Sequence, residues 1–256
     1  MLAGKKGIIF GIANDHSIAW GIGKKLKENG AKLGITYQNE TLLKRVQPLA
    51  KELNSDFLIK CDVSNDEDLN KCFHNISDKW NGLDFVIHAV AFSDKAELNG
   101  RYINTSRKNF INTLNVTCYS FTKIANLFSP LMLNGGSLIT LTFYGSQKVM
   151  PSYNVMGVAK AALETSVKYL SVDLGSKNIR VNAISSGPMR TISGAVIGKS
   201  RKVYKYTQEH SPLKRSIHLE EIGNTATYLI SEMSTSITGE IHYVDCGFNI
   251  IGMPKI

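Results

Sequence analysis

The fold is decided by the stretch Lys6-Gly7-Ile8-Ile9-Phe10-Gly11-Ile12-Ala13-Asn14-Asp15-His16-Ser17-Ile18-Ala19. Its first five residues are mostly apolar, which is typical of a strand buried on both faces of a parallel sheet. Apolar side chains then recur at helical spacing, so we expect a helix from Ser17 to Asn29 that Gly30 ends. A strand, a glycine turn and a helix in this order predict the first βα unit of an α/β domain.

Further short apolar runs follow, and the spacing between them leaves room for a helix each time. They are Lys32–Tyr37, Asp56–Lys60, Leu83–Ala89, Ser137–Thr142, Arg180–Ile184 and Glu240–Asp245. This alternation predicts a Rossmann-like α/β fold, a doubly wound parallel sheet with helices on both faces. No repeat or linker divides the 256 residues, so we expect a single domain over residues 1–256. Residues 191–206 are expected to form a mobile flap.

The composition favours a globular protein that works in the cytoplasm. Hydrophobic residues make up 43% of the chain, and no run approaches the roughly 20 apolar residues of a membrane helix. The four cysteines are scattered and form no metal-binding pattern with histidine, so we expect no metal. The net charge of +9 is spread along the chain, which favours a solvated basic surface over a nucleic-acid site.

The turn after the first strand is predicted to bind the pyrophosphate of a dinucleotide. Backbone N–H groups at a helix N-terminus attract an anion, and Gly11 permits the tight turn and close approach. The usual GxGxxG is absent, and a merely structural βα turn is the alternative.

The ends of the second and third strands are predicted to bind the adenosine half. Gln38 stands where an acidic residue would hold the ribose 2′-hydroxyl and an arginine would accept a 2′-phosphate. The neutral amide favours NADH, while Lys44 and Arg45 keep NADPH open as the alternative. Asp62 and Val63 suit the edge and face of the adenine, although Asp62 could equally be a turn aspartate.

Tyr153 and Lys160 are the candidate catalytic pair. Pro151-Ser152, followed by an Ala-rich amphipathic sequence, predicts that both lie near the start of one long helix. Seven residues are almost two turns, so both side chains would share a face about 10 Å apart along the axis. The lysine would orient the nicotinamide ribose, and its field would make the phenol a better donor. A core tyrosine with a surface lysine is the alternative.

A second pair, Tyr144 and Lys148, has the YxxxK spacing of ordinary ketoreductases. Gly145 and Pro151 place it in a loop, so we interpret it as a decoy. Farther along, the strand over 179–184 leads into Gly187-Pro188-Met189 at the ligand side of the sheet. The Met189 backbone could pair with the nicotinamide carboxamide, and Thr191 with the carboxamide or the pyrophosphate.

The whole chain resembles the bacterial enoyl-[acyl-carrier-protein] reductases, a divergent branch of the short-chain dehydrogenases/reductases. The motifs that carry the likeness are Gly11-x5-Ser17-x-Ala19, Thr36-Tyr37-Gln38, Cys61-Asp62-Val63, His88-Ala89-Val90-Ala91-Phe92, Tyr153-Asn154-Val155-Met156-Gly157 with Lys160, Val181-Asn182-Ala183-Ile184 with Gly187-Pro188, and Val244-Asp245-Cys246-Gly247. The Tyr-x6-Lys spacing separates this branch from ketoreductases.

The resemblance implies reduction of the trans-2 double bond of acyl thioesters with NADH in fatty-acid biosynthesis, by a homotetramer. Tyr153 would donate a hydrogen bond to the thioester oxygen, and Lys160 would hold the ribose. The implied cofactor-lining residues are Gly11, Ser17, Ile18, Gln38, Asp62, Val63, Val90, Lys160, Met189, Arg190, Thr191, Ile192 and Ser193. The residues implied to border the acyl chain are Ser93, Leu98, Phe143, Met156, Val196 and Ile197. Arg201 and Lys202 match basic positions that meet the acidic acyl carrier protein.

One position departs from the family pattern. Many members place a second tyrosine ten residues before the catalytic one, where this chain has Phe143 followed by Tyr144. Phenylalanine keeps the aromatic wall but lacks the hydroxyl, so we assign no catalytic role to either residue. The alternatives left open are a 3-oxoacyl or other carbonyl reductase, and an NAD(H)-binding sensor or scaffold in which Tyr153 and Lys160 are dispensable.

Overall fold

The protein is described by a computed structural model that covers residues 1–189, 191 and 200–253. Seven parallel strands form one sheet in the order β3-β2-β1-β4-β5-β6-β7. The strands are β1 (Lys6–Phe10), β2 (Lys32–Tyr37), β3 (Phe57–Lys60), β4 (Phe85–His88), β5 (Gly136–Thr142), β6 (Ile179–Ser186) and β7 (Ile241–Val244). Every predicted strand is therefore confirmed, and no end differs by more than two residues.

Helices connect the strands and cover the sheet. They are α1 (Ile18–Glu28), α2 (Glu40–Glu52), α3 (Asp66–Lys79), α4 (Lys95–Leu98), α5 (Arg107–Leu114), α6 (Ser120–Phe128), α7 (Val155–Gly175), α8 (Ser200–His210) and α9 (Leu219–Ile230). A π-helical turn, Asn115–Tyr119, joins α5 to α6. Short 3-10 turns lie at Tyr102–Asn104, Ser129–Leu131, Tyr144–Ser146, Glu232–Ser234 and Phe248–Ile250.

Each face of the sheet carries its own apolar core. Alternate residues of a strand point to opposite faces, so Ile8 and Val86 pack with α3, α6 and α7 on one side. Ile9 and Ile87 pack with α1, α2 and α9 on the other side. The doubly wound architecture predicted from the apolar runs is thus confirmed.

The order of the strands fixes where a ligand can lie. Strand β1 pairs with β2 on one side and with β4 on the other, so the connections from β1 and β4 leave toward opposite directions. In such sheets the crevice outside the carboxyl ends at this reversal is the ligand site. Within the described residues, no helix is both long and apolar enough to cross a membrane.

Candidate active site

Gly11 lies at this reversal and has a backbone that glycine alone tolerates well. Its φ is +109°, and a Cβ added there would lie 2.2 Å from the carbonyl oxygen of Ala89. The missing side chain lets the turn after β1 approach the loop after β4 closely. A glycine that lets the first βα turn pass this close to its neighbour, directly before a helix N-terminus, is the arrangement a pyrophosphate requires, so the residues present fit a dinucleotide.

Ser17 orders the rest of this turn. Its hydroxyl accepts hydrogen bonds from the backbone N–H groups of Ala13 (3.1 Å) and Asn14 (3.0 Å), and donates to the Asn14 side chain. Ser17 is the N-cap residue of α1, yet its side chain makes no capping bond to that helix. The N–H groups of Ile18 and Ala19 at the start of α1 therefore keep their capacity to bind an anion, while that of Trp20 donates to the Ser17 carbonyl oxygen. Ile18, the first helical residue, is partly buried.

Gln38 and Asp62 meet at the ends of β2 and β3. The Gln38 amide nitrogen donates to one Asp62 oxygen at 2.9 Å, and the Ser64 backbone and hydroxyl donate to the other at 2.9 and 2.7 Å. Burial opposes ionisation, but the hydrogen bonds from Ser64 and Gln38 outweigh it and lower the pKa of Asp62. Asp62 is thus a turn aspartate that also orients Gln38, and the neighbouring Val63 is buried.

This orientation decides which group of Gln38 faces a ligand. Because the amide nitrogen is bound to Asp62, the amide presents its oxygen, which can accept a bond from a ribose hydroxyl. A 2′-phosphate would instead meet that oxygen and the nearby carboxylate. The geometry therefore favours NADH more strongly than the neutral amide alone does.

Tyr153 lies before the long helix rather than within it, so the prediction of a shared helix face is wrong. Helix α7 begins at Val155, and Ser152 and Asn154 on either side of Tyr153 have φ values of +58° and +40°. The Asn154 amide nitrogen donates to the carbonyl oxygens of Glu97 (3.2 Å), Leu98 (3.2 Å) and Gly100 (3.0 Å). Contacts with a distant segment therefore replace the first helical turn.

The Tyr153 side chain is almost completely enclosed, with 5% of its surface exposed. Its ring meets Phe143 edge to face, with the ring centroids 5.0 Å apart. A Cβ on Gly145 would lie 2.5 Å from the Tyr153 ring, so the wall can be this close only at a glycine. Burial, and then the negative charge of Glu164, raise the pKa of Tyr153 well above its usual value. At neutral pH the phenol therefore carries its proton and can donate.

Lys160 is also buried, which rules out the alternative of a surface lysine. Its ammonium donates to the carbonyl oxygen of Leu141 at 2.7 Å, which anchors it to strand β5. Burial lowers the pKa of Lys160 to about 8, although electrostatic interactions with Cys118 and Glu164 oppose that shift. An ammonium has three donors, so the anchored group retains two for the hydroxyls of a ribose.

The structure brings three of the predicted acyl-chain residues together around Tyr153. Leu98, Phe143 and Met156 form one apolar cluster with Tyr153 and Val155. Ser93 is buried beside it, and its hydroxyl bonds with Asn109 and Thr113 in a polar network beneath the loop. The predicted decoy tyrosine, Tyr144, lies in a 3-10 turn as expected.

The loop after β6 is described only in part. Met189 packs against the core on the α1 side, the Thr191 N–H donates to the Met189 carbonyl at 2.9 Å, and Val90 packs on the opposite core. Arg190, Ile192, Ser193, Val196 and Ile197 lie outside the described residues, as does half of the predicted flap over 191–206, namely residues 192–199. The last part of that flap is the start of helix α8, where Arg201 and Lys202 are exposed.

Sequence reasoning missed two residues that build the site, Asn154 and Glu164. Glu164 is buried one turn after Lys160 and accepts hydrogen bonds from Thr142 and Ser146. A glutamate four residues after the candidate lysine was a signal for it, since both fall on one helix face. Nothing in the local sequence indicated the partners of Asn154.

The parallel sheet, the glycine turn at its reversal and the buried Tyr153–Lys160 pair define a short-chain dehydrogenase/reductase. A family model described as enoyl-(acyl carrier protein) reductase matches residues 11–249. The chain belongs to the enoyl-[acyl-carrier-protein] reductase family.

Individual relatives match this chain over its full length. The enoyl-[acyl-carrier-protein] reductase [NADH] 2 of Rhizobium meliloti is 54% identical, over 100% of this chain and 96% of the relative. The corresponding NADH enzyme of Rickettsia prowazekii is 52% identical, over 100% and 98%. The crystal structure of FabI from Candidatus Liberibacter asiaticus has a TM-score of 0.97 and 54% identity, covering 99% of this chain and 98% of its own. The enzyme from Anaplasma phagocytophilum, solved in complex with NAD, has a TM-score of 0.96 and 50% identity, covering 100% and 97%.

Proposed function

We propose that this chain reduces the trans-2 double bond of acyl thioesters carried by acyl carrier protein, with NADH, in fatty-acid biosynthesis. The observation that carries the proposal is the buried, proton-bearing Tyr153 beside an apolar cluster, with the anchored ammonium of Lys160 following it in the chain. The cluster suits an acyl chain, and the phenol suits the polar end of the same substrate. The NADH-dependent relatives and the geometry of Gln38 support the choice of cofactor.

Bound NADH supplies the hydride for the β-carbon of the substrate. The Tyr153 hydroxyl donates a hydrogen bond to the thioester oxygen, on which negative charge develops as the enolate forms. A preorganised donor of this kind commonly lowers a barrier by a few kcal/mol, because its bond strengthens as the charge grows. A proton then reaches the α-carbon, which completes the reduction. Lys160, whose ammonium is anchored to the Leu141 carbonyl oxygen, holds the nicotinamide ribose. The surrounding apolar side chains keep water from the reacting atoms.

The remaining site assignments are part of the same proposal. Gly11, Ser17 and Ile18 would hold the pyrophosphate, Gln38, Asp62 and Val63 the adenosine, and Val90, Lys160 and residues 189–193 the nicotinamide half. Ser93, Leu98, Phe143 and Met156, together with Val196 and Ile197, would border the acyl chain. Most of the described residues follow the carboxyl ends of the strands. Leu98 and Met156 are supported by their cluster with Tyr153, and Lys160 by its bond to the Leu141 carbonyl oxygen. The residues outside the described part are supported by their place in the motif.

We also assign the carrier-protein contact to the start of α8. Arg201 and Lys202 are exposed there, and the chain carries a net charge of +9. Opposite charges steer association and raise its rate. A single domain over 1–256 and a cytoplasmic location stay predictions.

A homotetramer is supported by the outer face of α7. Val158, Tyr169 and Val172 lie on one side of this helix, and the last two are 73% and 80% exposed. Ile111 on α5 and Tyr119 in the π-helical turn are also more than half exposed. Large apolar side chains exposed on one helix face favour an interaction site, and symmetric self-association is the common way to cover one. The number of four subunits comes from the family resemblance.

The deciding experiment follows NADH oxidation with a trans-2-enoyl thioester, beside NADPH and a 3-oxoacyl thioester, for the wild type and Tyr153→Phe. We expect enoyl-dependent oxidation that falls at least about a hundredfold in the variant. Turnover of the 3-oxo substrate alone would indicate a carbonyl reductase. Tight NADH binding without turnover of either substrate would indicate a sensor.

A further inference from the structure

Glu164 is a buried carboxylate that has no role so far in the proposed reduction. It lies on α7 one turn after Lys160 and is 8% exposed. One of its oxygens accepts hydrogen bonds from the hydroxyls of Thr142, at 2.7 Å, and Ser146, at 2.5 Å. A buried carboxylate is expensive unless it is hydrogen-bonded and its charge is balanced, so this arrangement needs an explanation.

The two hydroxyl donors bracket the wall of the catalytic tyrosine. Thr142 ends strand β5 and Ser146 ends the 3-10 turn that follows, so Phe143 and Gly145 lie between them. Phe143 meets the Tyr153 ring edge to face at 5.0 Å. Gly145 is so close that a Cβ there would lie 2.5 Å from the same ring. The Glu164 carboxylate thus holds both ends of the segment 142–146, which packs against Tyr153.

The charge of Glu164 acts on the same pair. Lys160 donates to the carbonyl oxygen of Leu141, the residue next to Thr142, so the two charged groups of α7 bind adjacent residues of β5. The Glu164 charge raises the pKa of both Lys160 and Tyr153.

Other titratable groups also face this pair. Cys118, in the π-helical turn, contributes to raising the pKa of Lys160. The Glu164 charge contributes, after burial, to the raised pKa of Tyr243 on β7. His88 of β4 also faces Lys160; burial, and then the Lys160 charge, lower its pKa to about 3, so it is neutral at working pH. Glu164 is therefore the carboxylate whose charge raises the pKa of Lys160.

We propose that Glu164 is a positioning residue of the reduction. Through Thr142 and Ser146 it sets Phe143 and Gly145 against the Tyr153 ring, and its charge keeps Lys160 in the ammonium form that holds the ribose. This role rests on the proposed function, because it concerns the same tyrosine and lysine.

The first test compares Glu164→Gln with Asp173→Asn, which removes a carboxylate from an exposed position of the same helix. The dissociation constant of NADH, followed by fluorescence, is measured against pH. In the wild type, affinity should weaken as pH rises through about 8, where Lys160 loses its proton. Loss of the Glu164 charge lowers the pKa of Lys160, so in Glu164→Gln this weakening should occur at a lower pH than in the wild type. Asp173→Asn should behave as the wild type does.

The second test separates the effect of the Glu164 charge from that of its hydrogen bonds to Thr142 and Ser146. Thr142→Val with Ser146→Ala removes both donors and keeps the carboxylate, so kcat should fall about tenfold with no acidic shift of the NADH-binding profile. If Glu164→Gln does not fold, this double variant still tests the hydrogen bonds of Glu164. Glu164→Asp, which keeps the charge on a shorter side chain, should then lower kcat and leave the NADH-binding profile at the wild-type pH.

The outcomes separate the two proposals. If the wild type binds NADH but reduces no enoyl thioester, the proposed function fails, while the pH profile still tests the effect of Glu164 on Lys160. If folded Glu164→Gln has the wild-type pH profile and the wild-type kcat, the role of Glu164 is overturned. A loss of thermal stability alone, with both readouts unchanged, would also overturn it.

Discussion

A buried lysine loses the hydration of its charge, and Lys160 recovers part of that loss from the Leu141 carbonyl and from Glu164. The result is a group that changes charge near the working pH, beside a phenol that does not. The sequence alone indicated Tyr153 and Lys160, because their spacing is characteristic. It could not indicate that Glu164 binds Thr142 and Ser146, because those contacts span 22 and 18 residues and depend on the packed sheet.

The lowered pKa of Lys160 leads to a prediction about cofactor binding. The folded-state pKa is about 8, so the ammonium that holds the ribose is present below that pH and is lost above it. NADH affinity of the wild type should therefore decrease as pH rises from 7 to 9, by about tenfold. Lys160→Gln should bind NADH weakly at every pH and show no such dependence. Persistence of the pH dependence in Lys160→Gln would assign it to another group.

The Gln38–Asp62 contact leads to a prediction about cofactor choice. Gln38→Arg replaces an amide oxygen with a guanidinium that can bind a 2′-phosphate, so the ratio of kcat/KM for NADPH to that for NADH should rise at least about tenfold. Lys44→Gln is the comparison, because Lys44 was the sequence-based candidate for holding the phosphate. If Lys44→Gln abolishes NADPH use in the Gln38→Arg background, Lys44 takes part after all.

At the scale of elements, the seven strands were predictable because apolar runs bounded by polar residues report burial on both faces of a sheet. The first helix was predictable for a similar reason, and Gly30 ends it with a φ of +91°. The start of α7 was not, because local pattern favoured helix from Ser152 while the Asn154 amide binds the carbonyl oxygens of residues 97, 98 and 100. Tertiary contacts overrode local propensity at the position where Tyr153 must point into the site.

Substitutions of Asn154 should separate the hydrogen bonds from the backbone strain. Asn154→Gly loses the bonds and keeps a residue that tolerates φ of +40°, whereas Asn154→Ala loses both. We expect unfolding free energies lower than the wild type by about 1–2 kcal/mol for glycine, and about 1 kcal/mol lower again for alanine. Urea denaturation measures both, and kcat should fall with them because Tyr153 is the adjacent residue. Equal stability of the three proteins would mean that the bonds of Asn154 contribute nothing.

At the scale of the whole molecule, the two cores are covered by helices, but the outer face of α7 leaves Tyr169 and Val172 largely in solvent. Exposure of these apolar side chains to water does not stabilise an isolated chain. Association would bury them, and it would also stiffen the helix that carries Lys160 and Glu164. An assembly formed through this face would therefore be connected to the site through one element.

Tyr169→Glu tests this connection directly. A carboxylate in the middle of the exposed apolar face would have to be buried on association, so the variant should dissociate into smaller species, seen as a lower mass in sedimentation velocity. Gln47→Glu, which adds the same charge to an exposed position of α2 across the sheet, should keep the wild-type mass. Because α7 positions the Lys160 ammonium, kcat of the dissociated variant should also fall, by several-fold. A Tyr169→Glu protein with the wild-type mass would show that this face of α7 is not where the chains meet, and a dissociated protein with full activity would show that the site needs no partner.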